Sequence, residues 1–244
     1  MNIQLIETED EKFNKVKHDL YNIVPSANRR CVFVGASGAG KNNLIANLLC
    51  VQPFKNYFNA IHMWSPNATY ESINHHIQKC NPESKMSMYD EYDPSEFKNI
   101  LTEIYSEQAK LKQKKKRPKK ILIIIDDFIT NKMFMKSNEL NELFITSRKK
   151  GITLWLLSQK YNDITILHRL QCEHLCIFNM NQNEIKKIAK EQSEGQYNEK
   201  FLQHVFNKMI APNPYSFLHI NKKQTPDKRF MYKFEHYITH KHTT

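Results

Sequence analysis

At 244 residues and a formal charge of +11, the chain has the length of one α/β domain and a surplus that attracts polyanions, nucleic acid first among them. Its longest purely aliphatic run, residues 121–125, is far too short to span a bilayer, and five widely spaced cysteines follow no secretion signal. A membrane-spanning protein and a disulfide framework are thereby excluded, and a soluble chain with reduced thiols in a cytosol-like compartment is expected.

Residues 1–24 set Phe13, Val16, Leu20 and Ile23 at helical spacing among charges, which predicts an amphipathic lead-in ending at Pro25. Apolar runs and helical patterns then alternate. Strands are predicted at 31–35, 60–65, 86–89, 122–126, 152–158 and 174–179, and helices at 41–50, 69–79, 95–112, 137–149, 183–192 and 197–209. This rhythm argues for a mostly parallel sheet covered by helices on both faces. The last quarter breaks it: 215–220 and 229–237 flank a polar Lys-Lys-Gln-Thr-Pro-Asp-Lys turn and read as an antiparallel hairpin at one edge.

Three of only five glycines, Gly35, Gly38 and Gly40, fall within the run Gly35-Ala36-Ser37-Gly38-Ala39-Gly40-Lys41, between a predicted strand and a predicted helix. This is the pattern of a phosphate-binding loop. Glycine lets successive N–H groups turn inward around a polyphosphate at the positive end of the following helix, and Lys41 reaches the β- and γ-phosphates. A tight turn with a chance lysine is the plainer alternative, disfavoured by the strand–turn–helix setting. Asn42 and Asn43, in the first turn of the helix, complete the expected nucleotide-binding set. Asn42 stands where the pattern asks for a Ser or Thr hydroxyl on Mg²⁺, and its amide oxygen is a bulkier ligand. Either the site tolerates an amide or it is a weakened or altered site, and nucleotide binding should survive the change better than hydrolysis.

Residues 119–127, Lys-Lys-Ile-Leu-Ile-Ile-Ile-Asp-Asp, have the form of a Walker B element: a strand buried on both faces that delivers carboxylates at its C-terminal end. Asp126 is expected to position Mg²⁺ and Asp127 to polarise the water attacking the γ-phosphate. A buried strand followed by an Asp-rich turn is the bland reading, weakened by the phosphate loop upstream. A further strand at 152–158 runs into Gln159, placed to sense the γ-phosphate or orient water.

Two clusters invite a metal reading, His75, His76 and Cys80, and the alternating Cys172, His174 and Cys176. Neither forms paired sets at zinc-finger spacing, and the second has the form of one strand showing alternate side chains to opposite faces, so neither is assigned a metal. Residues 110–120 hold eight basic side chains in eleven positions. A solvated helix end and a DNA-facing or partner-facing loop are equally good explanations of that run.

The succession of the phosphate loop, Phe58-x₂-Ile61-x-Met63-x-Ser65-Pro66, the strand ending in Asp126-Asp127, and Ser147-Arg148-Lys149-Lys150-Gly151-Ile152-x₂-Trp155-Leu156-Leu157-Ser158-Gln159 resembles the poxvirus-type genome-packaging ATPases of large DNA viruses and virophages, in the FtsK–HerA superfamily of ring-forming DNA translocases. The resemblance spans residues 25–180, and the Arg-x-x-Gly-Ile stretch leading to a strand-terminal Gln is its most specific part. It implies an α/β, RecA-like P-loop NTPase domain, to which the residues themselves add the C-terminal antiparallel hairpin. It implies ATP and Mg²⁺ as cofactors, with Lys41 on the phosphates, Asp126 on Mg²⁺, Asp127 activating water, Gln159 sensing the γ-phosphate and Arg148 as an arginine finger given to a neighbour's site. The partners it implies are double-stranded DNA, further copies in a pentameric or hexameric ring, and capsid vertex proteins, with no membrane. The compartment is the host cytoplasm at viral factories, and the virion. The corresponding division is a lead-in at 1–24, the ATPase domain at 25–210, and a hairpin with basic tail at 211–244. Two other classes stay open: a nucleotide-binding DNA scaffold that hydrolyses weakly or not at all, suggested by Asn42, and a small-molecule kinase, which needs an arginine-bearing lid and lacks a strand-terminal Asp-Asp followed by such a Gln.

Overall fold

Every residue of β1 (Arg30–Val34), β4 (Ile121–Asp126), β5 (Ile152–Ser158) and β6 (His174–Phe178) is buried, as strands covered on both faces require. With β2 (Ala60–Trp64), β3 (Lys85–Tyr89), β7 (Phe217–Asn221), β8 (Phe230–Tyr232) and β9 (His236–Tyr237) they form one nine-stranded sheet in the order β3-β2-β4-β5-β1-β6-β7-β8-β9. The first six in that order are parallel and β7 to β9 continue antiparallel from β6. The structure is a computed structural model and describes residues 28–51, 53–66, 68–128 and 131–238. The lead-in expected at 1–24 and the end of the basic tail lie outside the described residues.

Because side chains alternate along a strand, each face has its own core. Cys31, Phe33, Leu122, Ile124, Trp155 and Leu157 pack on one face against α1 (Lys41–Cys50) and α2 (Ser72–Cys80), through Ile45, Leu48, Leu49 and Ile77. Val32, Val34, Ile123, Ile125, Leu154 and Leu156 pack on the other against α3 (Pro94–Gln113), α4 (Lys132–Met135), α5 (Asn138–Thr146), α6 (Ile166–Gln171), α7 (Gln182–Gln192) and α8 (Glu199–Val205), or the loops that join them.

Departures from expectation have local causes. The helix expected from residue 69 starts at Ser72, because the Thr69 amide donates to Asp90 (3.0 Å) and the Asn74 side chain donates to the Ala68 carbonyl (3.0 Å), which holds residues 68–70 in a turn ahead of the helix. The helix expected at 137–149 ends at Thr146 and tightens into a 3₁₀ turn, Ser147–Lys150, closed by Gly151 at φ 71°. The stretch 197–209 is likewise α8 followed by a wider π-type turn, Phe206–Ile210. In the hairpin, 229–237 divides into β8 and β9 around Lys233 at φ 51°, and a short helix, α9 (Pro226–Arg229), occupies the turn. The helices α4 and α6 carry too little periodicity to be read from sequence. Cys172 is not on the strand with His174 and Cys176: it caps α6, its thiol donating to the Arg169 carbonyl at 3.1 Å. His174 and Cys176, two apart on β6, share a face.

Candidate active site

The phosphate loop leaves β1 tied to both neighbours. The Gly35 amide donates to the Ser158 carbonyl at the end of β5 (3.1 Å) and the Ala36 amide to the Asn179 carbonyl beyond β6 (3.0 Å). Gly35 is obligatory for that close approach, since a Cβ there would lie 2.4 Å from the Cβ of Phe178. At the far end Gly40 takes φ 105° and opens α1 with no side-chain cap and no acidic residue in the first turn, which leaves the helix's positive end to a ligand. Lys41 is 8% exposed, and its ammonium donates to the Gly35 (2.7 Å) and Ala36 (3.0 Å) carbonyls. The loop therefore already holds a positive charge at its centre.

Insertion of β5 between β1 and β4 decides what faces the loop. Asp126 ends β4 buried, and Asp127 follows in the left-handed region at φ 56°, its amide on the Leu157 carbonyl. Gln159, just past β5, donates its side-chain amide to Asp127 Oδ2. One cleft of about 320 Å³ at the C-terminal ends of these parallel strands is lined by Ser37, Gly38, Gly40, Lys41, Asn42, Asn43, Asp126, Asp127 and Gln159. Gly35, Ala36 and Ala39 shape the loop from behind it. Three lining residues that sequence reasoning assigned no role are Ser65, Pro66 and Glu71.

Glu71 is the consequential one. It precedes α2 in the segment leaving β2, and its Oε2 is buried without a hydrogen-bond partner. Burial and the charge of Asp127 raise its pKa. Burial, then the charges of Glu71 and Asp127, push Asp126 up to about 7, against the opposing pull of Lys41 and a hydrogen bond from the Asn42 side chain. Burial lowers the Lys41 pKa while both aspartates raise it. Two aspartates share one ammonium, and Glu71 crowds both of them. A carboxylate in the loop that leaves the C-terminal end of the strand beside the Walker B strand is the signal that could have found Glu71, since ligands in open α/β sheets gather there.

This donor set fits Mg²⁺, a hard cation that takes oxygen ligands: Asp126, the orphaned Oε2 of Glu71 and the amide oxygen of Asn42 converge on one cleft. Asn42 already meets Asp126, and an amide can only donate to a carboxylate through its NH₂, so its oxygen stays an acceptor.

Arg148 lies elsewhere. It sits in the 3₁₀ turn before β5, at the opposite end of the strand from Gln159, about 20 Å away by the rise of a seven-residue strand. Its guanidinium is 3.9 Å from Glu173, a carboxylate shared with Arg29 and Arg30. The basic run is on this same rim: Ile121 of β4 pairs with Ile152 of β5, so 114–120 lies beside 147–150. Lys114, Lys115, Lys116 and Arg117 are exposed, while Lys119 pairs with Glu107, and Gln108 clasps the Lys119 backbone at 2.8 and 3.0 Å.

A glycine-rich loop on a central strand, a carboxylate pair on a strand one removed, and a glutamine from the strand between define a P-loop NTPase domain. Residues 16–218 match the family described as Poxvirus A32 protein, and the chain belongs to that family of viral packaging ATPases. No curated relative matches the sequence. Among solved structures, the chain is similar to the genome packaging NTPase B204 from Sulfolobus turreted icosahedral virus 2 in complex with AMP, at TM-score 0.60 and 16% identity over 84% of this chain and 96% of that one. It is similar to the pCW3 conjugation coupling protein TcpA with ATPγS, at TM-score 0.57 and 14% identity over 86% of this chain and 61% of that one. EssC (ATPases 2 and 3) from Geobacillus thermodenitrificans aligns at TM-score 0.57 and 12% identity over 84% and 39% respectively. These likenesses establish the fold, a mostly parallel sheet extended by antiparallel strands.

Proposed function

We propose that the chain is an ATP-driven double-stranded DNA translocase that packages a viral genome into a preformed capsid, acting as a homo-oligomeric ring of five or six copies. The observation that carries this reading is the separation of the two charged sites. The nucleotide cleft lies at the C-terminal ends of the parallel strands and the Arg148 rim at their N-terminal ends. A head-to-tail ring needs two unlike surfaces of this kind, and each cleft then meets the next subunit's rim.

In this mechanism the loop amides and Lys41 hold the β- and γ-phosphates. Asp126, Glu71 and Asn42 would hold Mg²⁺, which would supply charge neutralisation to the crowded carboxylates and to the transferring phosphoryl group. Asp127 orients the attacking water and takes up its proton, and Gln159, already on Asp127, reports the γ-phosphate to β5. Because β5 joins Gln159 directly to the 147–151 turn, a shift at one subunit's γ-phosphate reaches the arginine it presents to the next. AMP and ATPγS in the similar structures support ATP as the ligand. The proposed division keeps 25–210 as the ATPase domain and 211–244 as the hairpin with basic tail, supported by the antiparallel pairing of β7 to β9. No described helix is long and apolar enough to cross a membrane, and the proposed sites of action are the viral factory in the host cytoplasm and the capsid vertex. The carboxylate pair bonded by a strand-terminal glutamine argues against the kinase reading, and the intact convergence on the cleft argues against a non-hydrolysing scaffold.

A mixing experiment tests the arrangement. Arg148→Ala subunits keep a pocket without a finger, and Lys41→Ala subunits keep a finger without a working pocket. Each alone should lose about 10³-fold or more of DNA-stimulated ATPase activity, and co-assembly should restore part of it where a good pocket meets a good finger. A demonstrated co-assembly as inactive as its parents refutes action in trans.

A further inference from the structure

The fold completes a ligand set that the sequence leaves broken. His76 and Cys80 lie one turn apart on α2, and Cys80 Sγ is 3.5 Å from His76 Nε2. The third member is remote in sequence: Cys50, the last residue of α1, packs against this turn, and the two sulfurs and the imidazole nitrogen all lie within 4.8 Å of one another. We propose that Cys50, His76 and Cys80 bind a borderline-soft divalent transition-metal ion of the Zn²⁺ class, with water in the fourth position.

Geometry supports this first. Ligand distances of about 2.3 Å for sulfur and 2.05 Å for nitrogen at a tetrahedral angle separate S and N by about 3.6 Å, close to the spacing between Cys80 and His76. The chemistry agrees: two thiolates and an imidazole select Zn²⁺ over the hard Mg²⁺ of the nucleotide cleft. The site is also held in place by groups other than its ligands. Asn81, buried just past Cys80, donates to the Leu49 (3.1 Å) and Ile77 (2.8 Å) carbonyls and accepts from the Asn56 amide (2.8 Å), fastening the two helix ends together. Two helix C-termini, each negative by about half a charge, thus converge where the cation would sit. Cys50 is 9% exposed, Cys80 half-buried and His76 exposed, so the open fourth position faces solvent.

On binding, the two thiol protons pass to solvent, each sulfur gives a lone pair to the ion, and no group changes oxidation state. The ion joins α1, which begins at the phosphate loop, to α2, which begins just after Glu71, and so braces two walls of the nucleotide cleft from behind.

The test uses the full-length chain, reduced and stripped of metal, with its thiols counted as free, titrated with Co²⁺ without oxygen. One equivalent should raise thiolate-to-cobalt charge-transfer absorption and tetrahedral d–d bands, and one equivalent of Zn²⁺ should bleach both. His76→Ala and Cys80→Ser, at positions outside the core, should each weaken Co²⁺ affinity by roughly 100-fold or more while circular dichroism is unchanged. Absence of the charge-transfer band with free thiols, or bands that persist in both variants, overturns the proposal. So does a Cys50–Cys80 disulfide that forms in air at the same rate with and without Zn²⁺, since a bound ion must shield both sulfurs.

Discussion

Removing the Asp126 charge should stabilise the nucleotide-free protein while disabling its metal site. Burial and two neighbouring carboxylates push this group from an ordinary 3.8 to about 7. Below the unfolded value both states are protonated and no penalty exists. Between the two values the native state keeps a proton that the unfolded chain has released, so stability falls as pH rises, and above the native value the loss is complete. At about 1.36 kcal/mol per unit, the shift corresponds to roughly 4 kcal/mol at pH 8. Asp126→Asn avoids this loss but forfeits the attraction to Lys41, so a net gain of about 2–4 kcal/mol is expected near pH 8 and almost none near pH 4. For a domain of this size that is a rise in Tm of roughly 4–16 °C at the higher pH. Thermal melts of both proteins without Mg²⁺ or nucleotide, at the two pH values, measure it. Adding Mg²⁺ to the ATP-bound state should raise the Tm of the natural protein at pH 8 further, and that of the variant much less, since the variant keeps the loop and Lys41 but loses a metal ligand. A gain equal at both pH values, or a loss at pH 8, refutes the idea that a crowded carboxylate waits there for a cation.

Three further outcomes follow from the same site and the opposite rim. Asn42→Thr should raise kcat severalfold with little change in nucleotide affinity, since a compact hydroxyl replaces the amide in the metal shell, and an equal or lower kcat means that the site is built around the amide. Glu71→Gln should raise the Mg²⁺ concentration needed for half-maximal ATPase activity by about tenfold and move the acid limb of the pH profile downward, because Asp126 loses a repelling neighbour; an unmoved limb removes Glu71 from the site. Neutralising Lys114, Lys115, Lys116 and Arg117 together should lower the slope of log affinity for duplex DNA against log salt by about 3–4, and an unchanged slope makes the run a solvated loop.

The phosphate loop, the Asp126-Asp127 strand and the strand ending at Gln159 were legible from residues alone, because each is a local pattern: glycine where backbone must turn inward, aliphatics where a strand is covered on both faces, polar groups where it ends. The alternation of strands and helices was legible for the same reason, to within a few residues, the start of α2 being shifted where the Asn74 side chain pins the preceding turn. Tertiary structure alone decided which distant segments meet. Strand order put Gln159 on Asp127, carried Glu71 from beyond β2 into the cleft, and sent Arg148 to the far rim although it is only eleven residues from Gln159 in the chain. The same holds for Cys50, which no spacing rule joins to His76 and Cys80 and which reaches them because α1 and α2 pack side by side on one face of the sheet. Periodicity records what a segment buries. It does not record against which partner, because hydrophobic burial is non-directional and the pairing is set by the order in which strands close the sheet.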